Sequence, residues 1–165
     1  MPTAKSILAA TDFSGTSREA LHVARELGEA LDARVHLLHV IPDPARLPWS
    51  VDTGLAFTDL EKDWRHHAEL ALAHARDEAG LPRVLTPTIV AMGDAATEIV
   101  AAATAIGAAI IVMGTHGHGM AARLVMGSVA DKVLRHADRP VLIVPHPSLK
   151  HLDAAAEIAA QGAAR

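Results

Sequence analysis

Five short apolar runs, the first four each followed by a segment of helical periodicity, predict an α/β protein with a parallel sheet between two layers of helices. The runs are near-continuous in Val, Ile, Leu and Ala, as strands buried on both faces are, and such strands are joined by right-handed crossover helices. A length of 165 residues suits one domain with a real core. In such a three-layer sandwich, ligands bind beyond the carboxyl ends of the strands, where the sheet reverses direction. Three strand ends therefore matter: Ala10–Asp12, His39–Ile41 and Met113–Gly117.

Taken in order, Ser6–Ala10 is an apolar run that stops at Thr11-Asp12 and reads as the first strand. Ser14 is a fitting N-cap for the helix in which Ala20, Ala24, Leu27 and Leu31 recur at helical spacing. Arg34–Ile41 is a second strand, ended by Pro42. Pro42–Phe57 carries three prolines and Gly54 and reads as an excursion of weak structure. Thr58-x-x-Glu61 forms a capping-box pattern, and Leu60, Trp64, Ala68, Ala71 and Ala75 continue the stripe of a second helix from Phe57. Val84–Ala91 is a third strand, assigned to an edge because Pro87 cannot donate to a ladder. Asp94 caps a third helix through Ile99, Ala103 and Ile106, and Ala109–Met113 is a fourth, buried strand. After the glycine-rich segment Gly114–Met126 come a fourth helix, Gly127–Ala137, and a fifth strand, Pro140–Val144. We take residues 1–146 as the domain and 147–165 as an Ala-rich tail of helical composition.

Composition removes several function classes. Hydrophobic residues make up 50% and charged residues 21%, which is globular and not disordered. A net charge of −4 offers no basic footprint for duplex DNA or an anionic membrane surface. Phe13, Phe57, Trp49 and Trp64 are the only aromatic residues, too few for a surface that stacks on single-stranded bases. There is no cysteine, hence no disulfide, thiol nucleophile or zinc ribbon, which fits a reducing cytoplasm. No targeting segment is visible, and the charge-free stretch Ile99–Met113 falls short of the roughly 20 residues a membrane span needs.

The sharpest feature is Gly114-x2-Gly117-x9-Gly127-Ser128, leading out of a strand and into a helix. Glycines there either serve a turn or let backbone amides converge on phosphate oxygens. The helix that begins at Gly127-Ser128 adds free amides and a positive dipole end. Other phosphate loops do not fit: G-x-x-x-x-G-K-S/T is absent, and the turn Ala10–Gly15 lacks G-x-G-x-x-G. Nor do clustered acids stand at the first strand end, as a receiver-type phosphorylation site requires.

This spacing resembles the G-2x-G-9x-G-(S/T) nucleotide motif of the universal stress protein family. The likeness spans Lys5–Pro145, through Ile7-Leu-Ala-Ala-Thr-Asp12, Leu37-Leu-His-Val40, Gly93-Asp94, Gly127-Ser-Val-Ala-Asp-Lys-Val-Leu-Arg-His136 and Pro140-Val-Leu-Ile-Val144. It implies a flavodoxin-like sheet of order 3-2-1-4-5, a homodimer and, in members with this motif, ATP binding with Mg²⁺. By position, the resemblance implies that Thr11 and Met113 line the site, Asp12 accepts from the ribose hydroxyls, and Val40 holds the adenine edge through its backbone. Gly114, Gly117, Gly127, Ser128 and Val129 then follow the phosphates. The chain departs from the family at Ala130, where Ser or Thr is frequent, and at Ala95, commonly Pro.

Metal chemistry and catalysis find less in the sequence. Of the 11 histidines, His67 and His74 share a helix face but stand about 10 Å apart at 1.5 Å per residue, and no cysteine or carboxylate joins His116-Gly-His118. His22, His36 and His39 alternate with core positions and read as ordinary polar or satisfied sites. The glycine loop brings no evident base or nucleophile, and Arg123 is a lone charge-clamp candidate. The expected function is a cytoplasmic, nucleotide-dependent stress regulator acting on a protein client. The alternatives are a slow ATPase of the same fold and a dimeric interaction module without nucleotide. The apolar strand Pro140–Val144, at an edge in the family's order, is the expected homodimer contact.

Overall fold

The computed structural model describes residues 5–43, 57–115 and 126–145. Strand and helix alternate throughout: β1 (Lys5–Ala10), α1 (Gly15–Leu31), β2 (Ala33–Ile41), α2 (Phe57–Glu78), β3 (Thr88–Met92), α3 (Ala95–Ala105), β4 (Ala108–Gly114), α4 (Ser128–His136) and β5 (Val141–Val144). The sheet runs β3-β2-β1-β4-β5, and every neighbouring pair is parallel. This is the order the family resemblance implies.

Side-chain alternation along each strand feeds two separate cores. Ile7, Ala9, Val35, Leu37 and Val112 pack with Leu21 and Ala24 of α1 and with Leu72 and Ala75 of α2. Leu8, Ala10, Leu38, Ile111 and Met113 pack on the other face with Ile99 and Ala103 of α3 and with Ala130 and Val133 of α4. Right-handed crossovers require this division, because the order runs one way from β1 to β3 and the other way from β4 to β5. Small residues set the spacing between layers. Ala20, Ala24 and Ala103 are fully buried. A Cβ at Gly28 would stand 2.8 Å from Val35 Cγ2, so α1 lies directly on β2.

The helix ends follow local chemistry. Ser14 caps α1 by accepting the Ser17 amide, and Asp94 caps α3 by accepting the Thr97 amide. Arg139 closes the other end of α3, donating to the carbonyls of Ala103 and Ala108, each at 2.8 Å, and to Thr104 Oγ1. Gly93, before Asp94, sits at φ +142°, which an L side chain rarely adopts.

Two local expectations need correction. β3 begins at Thr88, not Val84, because Pro87 has no N–H to give the ladder. Its carbonyl still accepts the Leu37 amide, so pairing starts there. The capping box at Thr58 is not the helix start: α2 already includes Phe57, and Glu61 pairs with Arg65 at 3.4 Å. The excursion 44–56, most of the glycine-rich loop (116–125) and the tail 147–165 lie outside the described residues. Among the described residues no helix is long and apolar enough to cross a membrane.

His36 on β2 is not the satisfied polar site its sequence context indicates. Its Nε2 is enclosed with no hydrogen-bond partner among the described residues. Burial, then the positive charge of Arg34, lowers its pKa below the ordinary 6.5. The unfolded chain therefore binds the proton more readily than the folded one. This contribution to stability is complete above pH 6.5 and is lost as pH falls through that value toward the folded pKa. Thermal melts between pH 7.5 and 5.5 should show a steeper loss for the parent than for His36→Leu. Parallel pH profiles would remove His36 from the account.

Candidate functional site

At the carboxyl ends of the strands, where the order reverses between β1 and β4, the chain encloses a cavity of about 310 Å³. This is where a doubly wound sheet leaves a crevice no crossover can fill. β1 and the residues after it supply Ala10, Thr11 and Asp12, and β2 supplies Leu38, His39 and Val40. β4 and the residue after it contribute Met113, Gly114 and Thr115. Ala95 and Ile99 of α3 form one wall, and Gly127, Ser128, Val129 and Ala130 bring in the start of α4.

The turn between β1 and α1 is held by its own polar groups. Thr11 is buried, and its hydroxyl accepts the Phe13 amide at 3.0 Å. Ser17 Oγ donates to the Ser14 carbonyl, so the 3.0 Å contact between the Thr11 and Ser17 hydroxyls has Thr11 as donor. Both hydrogen-bonding capacities used here turn Thr11 inward, and its role is to shape the wall. Asp12 Oδ1 accepts the Ser14 amide at 3.1 Å. Phe13 adopts φ +66°, an uncommon conformation for a bulky residue. Its ring lies against the His39 imidazole, centroids 4.3 Å apart, and His39 Nδ1 is 2.7 Å from the Thr11 carbonyl oxygen.

Strand alternation decides what Val40 offers. Leu37 donates to Pro87 and Ile41 accepts from Gly93, so odd residues of β2 serve β3. Leu38 accepts from Thr11, so even residues serve β1. The backbone groups of Val40 therefore aim at the β1 side, past the last residue of that strand and into the crevice.

α4 presents its amino end to the same space. Its first helical bond runs from the Asp131 amide to the Gly127 carbonyl, so the amides of Ser128, Val129 and Ala130 have no partner within the helix. Gly127, the N-cap, has no side chain to cap them, and its own amide donates to the Thr115 carbonyl at 2.8 Å. Nearby, Lys132 Nζ reaches Asp94 Oδ2 at 3.3 Å. The Asp94 pKa is lowered by the Thr97 amide first, then by the Thr97 hydroxyl and Lys132. Among the described residues no group of three metal-ligating side chains stands together.

The profile of the Universal stress protein family matches residues 3–145. The chain belongs to the universal stress protein family. A Thermus aquaticus universal stress protein is 34% identical over 143 residues, covering 85% of this chain and 98% of that one. Universal stress protein MJ0531 of Methanocaldococcus jannaschii is 32% identical over 149 residues, 87% and 83% of the two chains. Among solved structures, MJ0577 of the same organism superposes with a TM-score of 0.71 at 30% identity, covering 86% of this chain and 95% of its own.

In this universal stress protein, Thr11, Asp12, Val40, Met113, Gly114, Gly127, Ser128 and Val129 all line one cavity, while Gly117 lies outside the described residues. His39 is a satisfied polar site, as expected, and it also lines the cavity and bonds the turn that carries Asp12, a role the sequence did not single out. Its place beside Val40, at the end of a strand pointing at the crevice, was the available signal. Gly114 proves to have a packing role of its own. A Cβ there would lie 3.0 Å from the Thr16 carbonyl carbon and Cγ2, against the first turn of α1. Gly114→Ala should destabilise the fold by about 1–3 kcal/mol through overpacking, read as a lower urea midpoint. An unchanged midpoint would show that α1 can retreat and that the close approach is dispensable.

Proposed function

We propose that this universal stress protein binds ATP with Mg²⁺ in the switch-point cavity and works as a nucleotide-dependent stress regulator. The observation that carries the reading is the meeting, in one recess, of the Asp12 carboxylate, the backbone of Val40 and the open amino end of α4. A carboxylate accepts ribose hydroxyls but repels phosphates, whereas free helix amides favour phosphates. Adenine then lies along Val40, ribose at Asp12, and phosphates along Gly114, Gly117, Gly127, Ser128 and Val129, with Thr11 and Met113 as walls. The motif Gly114-x2-Gly117-x9-Gly127-Ser128 supports the ATP-binding subgroup within the family. Among the described residues Asp12 is the one carboxylate lining the cavity, so Mg²⁺ would be held chiefly by the phosphates, whose charge it offsets. The functional unit is residues 1–146 with a tail, 147–165. A cysteine-free chain suits the cytoplasm, where the nucleotide state would be read by a protein client.

One universal stress protein of this fold, 20% identical to this chain, was solved in complex with cAMP. Calorimetry with ATP, ADP, AMP, cAMP and GTP separates the readings, and tightest binding of ATP with Mg²⁺ is expected. Gly127 has φ −64° and ψ 151°, which any residue adopts, so Gly127→Val tests crowding at the phosphates and not backbone strain. It should weaken ATP at least about tenfold, or about 1.4 kcal/mol. Ser128→Ala should cost about 0.5–1.5 kcal/mol, the loss of one neutral donor. A folded Gly127→Val that binds ATP like the parent, or tighter binding of cAMP or GTP, would reject the reading.

The homodimer is the second part of the proposal. β5 is an edge of the sheet, and Val141, Leu142 and Ile143 are only partly buried. Pairing of two such strands about a two-fold axis covers both edges at once. Light scattering should report a dimer for the full chain and for one ending at His146. A full chain that stays monomeric while the truncated one dimerises would assign the covering role to the tail instead.

A further inference from the structure

His39 touches the chain on both sides of Asp12. Its Nδ1 lies 2.7 Å from the carbonyl oxygen of Thr11, and its ring is 4.3 Å from the ring of Phe13. A carbonyl can only accept, so the imidazole Nδ1–H is the donor, which fixes the tautomer. Phe13 at φ +66° holds a conformation that an L residue adopts only when its surroundings compel it. Two constraints act here: the Phe13 amide donates to Thr11 Oγ1, and the phenyl ring rests on His39. Asp12 sits between the two held residues, and its carboxylate is steadied from beyond by the Ser14 amide. Both Asp12 and His39 line the cavity.

We infer that His39 is the positioning residue for Asp12, clamping the turn through the Thr11 carbonyl and the Phe13 ring so that the carboxylate meets the ribose hydroxyls of a bound nucleotide. The inference rests on the nucleotide reading of the cavity and adds to it the origin of sugar selectivity. A carboxylate discriminates a hydroxyl from a hydrogen only if held within hydrogen-bonding distance and angle. Without the clamp, Phe13 relaxes toward negative φ, the turn rotates, and Asp12 loses that geometry while the β1–β2 ladder stays paired. The loss falls on the sugar, since the amides of α4 and the backbone of Val40, which is held in the β2 ladder, do not belong to the turn that the clamp holds.

The test is the ratio of dissociation constants for 2′,3′-dideoxy-ATP and ATP, measured by calorimetry on the full chain and its variants. In the parent the ratio should be about tenfold or more, the worth of a charge-assisted hydrogen bond. His39→Phe keeps a ring against Phe13 but removes the donor, and the ratio should fall to within about twofold of unity. His39→Asn restores an N–H near the Nδ1 position and should recover much of the selectivity. A purely structural role for His39 would weaken both nucleotides equally and leave the ratio unchanged, which overturns the inference. If His39→Phe does not fold, side-chain ¹⁵N resonances of His39 in the parent decide: they should shift with ATP and not with the dideoxy analogue, and equal shifts overturn it. A parent that binds no ATP defeats the nucleotide reading itself, and the inference with it. A parent that binds ATP without preferring ribose leaves the cavity assignment standing and removes the role given to Asp12 and His39.

Discussion

β1 and β4 lie side by side in the sheet, yet the chain leaves them toward opposite faces, α1 on one and α4 on the other. Because the crossovers are all of one hand, this reversal cannot be closed over by the chain. Much of the upper face follows from it. α1 must turn down immediately beside β4, so its first turn presses on Gly114. The connection from β1 has four residues, Thr11 to Ser14, in which to change direction. It does so with Phe13 at positive φ and with its polar groups bonded to one another. On the other side α4 starts late, after the loop whose base is closed by the bond from the Gly127 amide to the Thr115 carbonyl.

The crevice so formed has two chemically unlike parts. One carries the Asp12 carboxylate and the other the open amides at the start of α4, with apolar walls from Leu38, Ile99 and Met113 between the strands and α3. A negative side chain and a helix amino end favour opposite charges, so the two ends of the recess differ in what they would accept. Neither feature alone distinguishes a ligand site from ordinary helix capping. Their meeting at a sheet reversal gives the recess its polarity.

Much of this was legible in the amino-acid order. Near-continuous apolar strands and capped helices are local properties, so Ser14, Asp94 and the five strands could be read directly, and the glycine spacing resembled one family. The misreadings share one cause. Pro87 keeps its carbonyl while lacking an N–H, and so it stands just outside the strand it was expected to interrupt. Thr58 has the right neighbour at Glu61, but that carboxylate goes forward to Arg65. His36 and His39 are three residues apart on one strand, and burial leaves one nitrogen of His36 without a partner among the described residues while the turn after β1 engages His39. Only their positions along β2 distinguish the two in sequence, because each environment is assembled from the other strands.

The alanines between the layers carry one further implication. Ala20, Ala24, Ala96, Ala103 and Ala130 are buried where helices meet the sheet, and Gly28 touches Val35. Enlarging such a side chain overpacks the interface by about 1–3 kcal/mol. Trimming one to glycine costs about 1 kcal/mol of helix propensity. Each position is thus penalised in both directions, so the interlayer distance is fixed by side chains that tolerate neither growth nor loss. Substitution is cheapest on exposed helix faces, and the crevice at the strand ends takes its dimensions from these fixed layers.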